Sequence, residues 1–252
     1  MTTCKPFPFK FALITSTRYT YHERRRGEPV KEEEHHMLLG ELNLATIIAR
    51  LIVLLVAFTI HELAHAITAD YLGDPTPRRM GRITLNPIAH LDPFGSLMLL
   101  ISGFGWAKPV MVQPLNLRGN PRTSMAIVAA AGPLSNLLLA ILFAVPVRMG
   151  LIGLSFGNPR GLFPSLEGLV FEFIWINLIL LFFNLIPVPP LDGYRILTGI
   201  LPPELAIQLR VLEQYGFLIL LLLIFLLPVV GIDVLGFLVA TPSAELLFFL
   251  IG

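Results

Sequence analysis

The stretch that decides the fold is Leu44–Leu72, LATIIARLIVLLVAFTIHELAHAITADYL. It is apolar except for Arg50 and a polar group at His61, Glu62, His65 and Asp70. A membrane-spanning helix needs roughly 20 apolar residues, and this run exceeds that. Further runs follow at Thr123–Val147, Leu169–Ile186 and Val211–Leu227, the last expected to stop at Pro228. A fifth, Ile232–Ile251, is weakened by Pro242 and Glu245. Backbone groups in lipid must pair within their own segment, so such runs are helices. A transmembrane barrel would show alternating segments of about ten residues instead. The expected fold is an all-α integral membrane protein, a polytopic bundle of four to six transmembrane helices.

Composition agrees. Of 252 residues, 55% are hydrophobic and 14% charged, and mean hydropathy is +0.75. A soluble domain is about 45–50% apolar and about 25% charged. The net charge of +1 creates no field to recruit nucleic acid, which is not expected as a partner; the lipid bilayer is. No glycine-rich loop carries a lysine, so phosphate recognition is not indicated. The single cysteine, Cys4, excludes an internal disulfide and an all-cysteine zinc site.

Residues 1–36 stand apart as a charged N-terminal tail. They hold seven of the 18 Lys/Arg and three of the six histidines, His22, His35 and His36. Their one apolar patch, Phe7–Ile14, is too short to span. Met37 opens a single membrane-embedded domain, 37–252. Within it, the connection 73–122 is long. It suggests short strands at Arg82–Leu85 and Pro109–Gln113, with a re-entrant or interfacial element at Phe94–Phe104 between them.

His61-Glu62-Leu63-Ala64-His65 reads H-E-x-x-H. Residues four apart share a helix face, so both imidazoles can address one ion. Glu62 is rotated by one residue and can reach a metal-held water without taking a coordination position. Zinc suits two imidazoles and a carboxylate with a fourth position open. Ionisable groups inside a spanning helix are costly, and packing does not explain them. The third ligand has four candidates: Asp192, His90, Asp92 and Asp70. Asp70 lies near the membrane edge, and His90 and Asp92 lie in the turn-rich 86–93 loop. Asp192 follows Pro187, Pro189 and Pro190, which stop the preceding helix and force an extended chain. Such irregular backbone at membrane depth is tolerated where it lines a cavity.

Three motifs in this order resemble the site-2 protease family, the zinc intramembrane metallopeptidases. They are His61-Glu62-Leu-Ala-His65, then Ala131-Gly132-Pro133-Leu134-Ser135-Asn136, then Asn184-x-x-Pro187-x-Pro189-Pro190-Leu191-Asp192-Gly193. The resemblance covers about residues 40–200. Gly81–Pro87 and Trp106–Val110 look like the short prokaryotic branch, which has no PDZ domain. The resemblance implies one Zn2+ per chain held by His61, His65 and Asp192, with Glu62 as general base. It implies that Asn136 and Asn184 lie beside the site and bind substrate or an oxyanion. The implied activity is hydrolysis of peptide bonds in transmembrane protein substrates. Separately, an edge strand near Arg82–Leu85 is expected to pair with the extended substrate. The rival readings are a non-catalytic membrane metal-binding protein or a divalent-metal transporter, although no internal repeat supports the latter. Asn177 and Glu172 read as interhelical packing groups.

Loop 73–122 holds Arg78, Arg79, Arg82, Lys108, Arg118 and Arg122, which places it in the cytoplasm by the positive-inside rule. Asp192 then lies on that side too, at a depth similar to the histidine pair. The active site is expected nearer the cytoplasmic face of the cell membrane.

Overall fold

The computed structural model describes residues 44–95, 106–153 and 163–252. Helix α1 is Leu44–Tyr71, 28 residues long, or roughly 42 Å at 1.5 Å per residue. Its buried residues include Ala45, Ala49, Val53, Ala57, His61, His65 and Ala69. They recur every four positions and form one ridge. Apart from the two histidines, the ridge is alanine and valine, so a neighbouring backbone can come close.

After the short α2, Thr76–Arg79, that neighbour is α3, Pro121–Arg148. It starts where Asn120 accepts a hydrogen bond from the Arg122 amide (3.0 Å) and Pro121 takes the first helical position. Its buried face has the same period: Ser124, Val128, Gly132, Asn136, Ala140 and Ala144. Helix α4, Leu166–Asn184, is capped by Ser165, whose hydroxyl accepts from the Gly168 amide (3.1 Å). The three long helices pack against one another. Ala140 and Ala144 meet Val170, Ile174, Leu178 and Leu181 of α4 in the main core, together with Leu247.

Beyond α4 come α5, Asp192–Ile200, and α6, Pro203–Leu209. They lead to α7, Val211–Val229, and the shorter α8, Gly236–Ile251. Helices α1, α3, α4 and α7 are each long and apolar enough to cross a membrane. The chain is an all-α, multi-pass membrane protein. The expected stop at Pro228 is corrected: α7 passes through a π-helical turn, Leu222–Leu226, and stays helical to Val229. Pro133 and Pro146 lie inside α3, which runs through both.

The expected short strands are also corrected. Among the described residues, extended pairing amounts to an isolated antiparallel bridge between Leu91 and Ala107. Arg82 takes the place of a strand partner. Its buried guanidinium donates to the carbonyls of Ala89 (2.5 Å), Lys108 (3.3 Å) and Pro109 (3.3 Å). The element expected at Phe94–Phe104 and the tail 1–36 fall largely or wholly outside the described residues.

The end of α1 is tied to the start of α3. Gly73 adopts φ 110°, a left-handed conformation open to glycine, and lets the Asp74 amide turn back to Ala69 O (2.9 Å). The Arg118 amide then donates to Leu72 O (2.8 Å). Asp74 is 0% exposed. Its carboxylate accepts from Thr76 Oγ1 (2.6 Å), Thr76 N (3.1 Å), Gln113 N (2.7 Å) and Asn116 Nδ2 (3.0 Å). Burial alone would raise this carboxyl, but the bonds from Asn116, Thr76 and Gln113 outweigh it and hold it below the ordinary carboxylate value. A carboxyl depressed on folding contributes stability above its unfolded pKa of about 3.9, and that contribution is lost as pH falls further. Asp74→Ala strands buried donors and is expected to cost on the order of 3 kcal/mol. Thermal unfolding in detergent should show this deficit at pH 7. The gap to wild type should narrow as both are acidified below about pH 4; an unchanged gap would remove the carboxylate from the account.

Candidate metal centre

The α1 ridge brings His61 and His65 onto the face that α3 covers. Their Nε2 atoms lie 3.1 Å apart. The chain leaves α4 at Asn184 and makes a tight turn, with Val188 N to Ile186 O at 2.8 Å and Leu191 N to Val188 O at 2.9 Å. It then enters α5 with Asp192 as the first residue. The expectation of an extended chain across Pro187–Pro190 is thus corrected: the prolines lie in a tight turn, and Asp192 opens a helix. Its Oδ2 lies 3.1 Å from His61 Nε2 and 3.2 Å from His65 Nε2.

The other third-ligand candidates are engaged elsewhere. Asp70 pairs with Arg78 (2.6 and 2.8 Å). Asp92 Oδ1 accepts from the Gly95 amide (2.8 Å). His90 Nε2 donates to Thr84 O (2.9 Å). Among the described residues, the group of His, Cys, Asp or Glu side chains able to share one ion is His61, His65 and Asp192.

Helix α5 is held by its neighbours. Arg122 of α3 donates to Thr198 O (2.7 Å) and to Leu201 O at its end. The Tyr194 hydroxyl donates to Glu213 Oε1 (2.9 Å), with Leu209 O at 3.2 Å. Burial, followed by the Glu213 carboxylate, pushes that phenol up to about 12. It therefore stays protonated as a donor across ordinary pH.

The donor set fits a tetrahedral metal. An ion with bonds of about 2.0–2.1 Å separates its ligand atoms by roughly 3.3 Å, close to the three spacings above. The far side of each ring also fits. His65 Nδ1 faces the Val128 carbonyl (2.8 Å), which only accepts, so this nitrogen carries the proton and Nε2 keeps a lone pair. His61 Nδ1 faces Asn136 Oδ1 (2.6 Å). Space is made by Gly132. A Cβ there would fall 2.4 Å from His65 Nε2 and 2.5 Å from His61 Nε2, among the metal-facing atoms.

Glu62 is buried beside the histidines in sequence. Its Oε2 accepts from the Val110 amide (3.0 Å), contributed by the stretch that Arg82 holds. Asn136 is fully buried between His61 and Asn177. Asn184 is half-buried at the end of α4, and its Nδ2 donates to Leu180 O (3.0 Å). Asn177, read from sequence as a packing group, donates from Nδ2 to Phe173 O (2.8 Å) and accepts from Asn136 Nδ2 (2.9 Å). Glu172 pairs with Arg50 (3.3 Å), joining α4 to α1. The four-residue period linking Ala57, His61, His65 and Ala69 is the sequence signal that locates the site on a packed face.

Residues 150–227, which include the turn and Asp192, match the family described as Peptidase family M50. The chain is 46% identical over 175 residues to "Putative zinc metalloprotease YwhC" of Bacillus subtilis, covering 68% of this chain and 78% of that protein. It is 34% identical over 174 residues to "Putative zinc metalloprotease Rip2" of Mycolicibacterium smegmatis, covering 68% and 64%. The Mycobacterium tuberculosis protein of the same name is 31% identical over 181 residues, covering 69% and 65%. No solved structure matches the chain. Agreement with the Bacillus protein over most of its length, joined to this histidine–histidine–aspartate geometry, makes the chain a member of Peptidase family M50, the site-2 protease family of membrane zinc metallopeptidases.

Proposed function

We propose that this protein is an intramembrane zinc endopeptidase that hydrolyses peptide bonds of transmembrane protein substrates. The observation that carries the reading is the convergence of His61 Nε2 and His65 Nε2 of a spanning helix with Asp192 Oδ2, within 3.1–3.2 Å of one another. These three residues hold one zinc ion. Bound there, zinc lowers the pKa of a water molecule and polarises a carbonyl oxygen. Glu62 is the general base. The Val110 amide fixes one carboxylate oxygen, and the other receives the proton of the attacking water. As the new C–O bond forms and the C–N bond breaks, Glu62 returns that proton to the leaving amine. Asn184 keeps its side-chain oxygen for a substrate N–H.

The site end of the bundle gathers Arg78, Arg79, Arg82, Lys108, Arg118 and Arg122. The positive-inside rule therefore supports a cytoplasmic location for that end. A substrate helix must unwind before its carbonyls are reachable, since they are already bonded within the helix.

Glu62→Gln keeps all three ligands and removes the base. Zinc content of the purified protein should stay at the wild-type level, while cleavage of a reconstituted membrane substrate falls by about a thousandfold. Comparative membrane proteomics of cells carrying either form supplies that substrate, as a fragment present only with the wild type. Undiminished turnover in the variant would take Glu62 out of the chemistry, and identical fragment sets would sink the peptidase reading.

Gly132→Ala tests the metal site from the opposite side. The added methyl lands among the imidazole nitrogens, so bound zinc should drop well below one per chain, as it should for Asp192→Ala. Metal analysis after dialysis reads this directly. Full zinc in both variants would place the ion elsewhere.

A further inference from the structure

We infer that Asn177 is a positioning residue of the metal site: through Asn136 it fixes which nitrogen of His61 carries the proton. The inference rests on the reading of His61 as a metal ligand.

The relay starts at a group whose role is not adjustable. The Phe173 carbonyl can only accept, so the side-chain nitrogen facing it at 2.8 Å is Asn177 Nδ2. Asn177 Oδ1 therefore points the other way, at 2.9 Å from Asn136. That oxygen also only accepts, so Asn136 must present Nδ2 to it. Asn136 Oδ1 is then left facing His61 Nδ1 at 2.6 Å, and Nδ1 carries the proton. The lone pair is thereby confined to Nε2, which faces His65 and Asp192. A main-chain carbonyl on α4 sets the tautomer of an imidazole on α1 through an amide on α3.

Both asparagines are 0% exposed. No solvent is at hand to satisfy a flipped amide, and burying an unpaired polar group is costly. The relay therefore has one low-energy direction. His65 obtains the same tautomer in one step, from Val128 O. His61 meets a side-chain amide oxygen where His65 meets a main-chain carbonyl, and two amides in series set it. Without Asn177, Asn136 is free to turn its Nδ2 toward His61 Nδ1. The proton then moves to Nε2, where it blocks coordination.

Asn136 thus serves the ligand rather than the substrate: its oxygen is given to His61 and its nitrogen to Asn177. This also separates Asn177 from a plain packing residue, because a carboxylate at 136 would do the relay's work unaided. A carboxylate accepts whichever way it is turned, so Asn136→Asp holds the His61 proton on Nδ1 without any instruction from Asn177.

The test uses the full chain in detergent and zinc alone as the probe, with affinity read by competition against a chromophoric chelator. Asn177→Leu is expected to weaken zinc binding by about 10- to 100-fold, the range for loss of an outer-shell partner. The double variant Asn136→Asp/Asn177→Leu should recover most of that loss. A within-threefold affinity in Asn177→Leu overturns the relay. So does a loss that the double variant fails to recover, which would mark Asn177 as packing only. Where Asn177→Leu does not fold, ring-nitrogen NMR of metal-free wild type at alkaline pH decides instead. His61 should carry its proton on Nδ1, and a proton on Nε2 overturns the relay. Wild type that binds no zinc at all would strike the metal reading, while the NMR measurement would still judge the relay.

Discussion

Three electron-pair donors facing one another inside an apolar bundle are the constraint on which the rest of the molecule depends. His61 Nε2, His65 Nε2 and Asp192 Oδ2 form a triangle with sides of 3.1–3.2 Å. With both rings neutral and protonated on Nδ1, such an arrangement is unfavourable alone in a low-dielectric interior, because lone pairs and a carboxylate charge repel without water to screen them. A cation at the centre reverses the sign of the interaction. The surroundings are arranged to preserve the need for that cation. Each ring has its other nitrogen committed to an oxygen, one on the main chain and one on a buried amide.

The helices supply this arrangement with little elaboration. On α3, three successive ridge positions each serve the site. Val128 offers its carbonyl to His65, Gly132 leaves space for both rings, and Asn136 offers its oxygen to His61. The order 128, 132, 136 runs against the order 61, 65, as it must where two helices lie antiparallel. The same four-residue ridge that packs Ala69 against Val128 packs histidine against glycine here. The site is a local substitution in a packing pattern already required to hold α1 against α3. His61 and His65 inherit the rigidity of two packed 28-residue helices.

This origin explains which features are readable in the sequence. The spans are legible because lipid demands long apolar runs, and four of them appear as helices within a few residues of the expected ends. The pair His61 and His65 is legible because a spacing of four is a property of the helix itself. The elements after α4 are harder. Proline dictates where a helix stops but not how the chain continues, and Asp192 opens a new helix whose anchors are Arg122 and Glu213, distant in sequence. Asn177 reads as packing because its significance depends on a neighbour 41 residues away. The strands expected at 82–85 and 109–113 fail for a specific reason. Their β-like composition is real, but the carbonyls at 108 and 109 are satisfied by a buried side chain, Arg82, and Pro109 has no N–H to lend a ladder.

That failure bears on the chemistry. A strand partner would have claimed the Val110 amide as well. With Arg82 holding the carbonyls on one side of this stretch, the next N–H is left for Glu62, and the bond forms at 3.0 Å. The carboxylate sits one residue from His61 on the same helix and is turned by about 100° from it. Rotation alone keeps it from the coordination triangle, yet it leaves a flexible side chain several places to go. The Val110 amide removes that freedom and costs the carboxylate only one of its oxygens. Val110, expected in a short strand over 109–113, thus sets the aim of the Glu62 carboxylate instead.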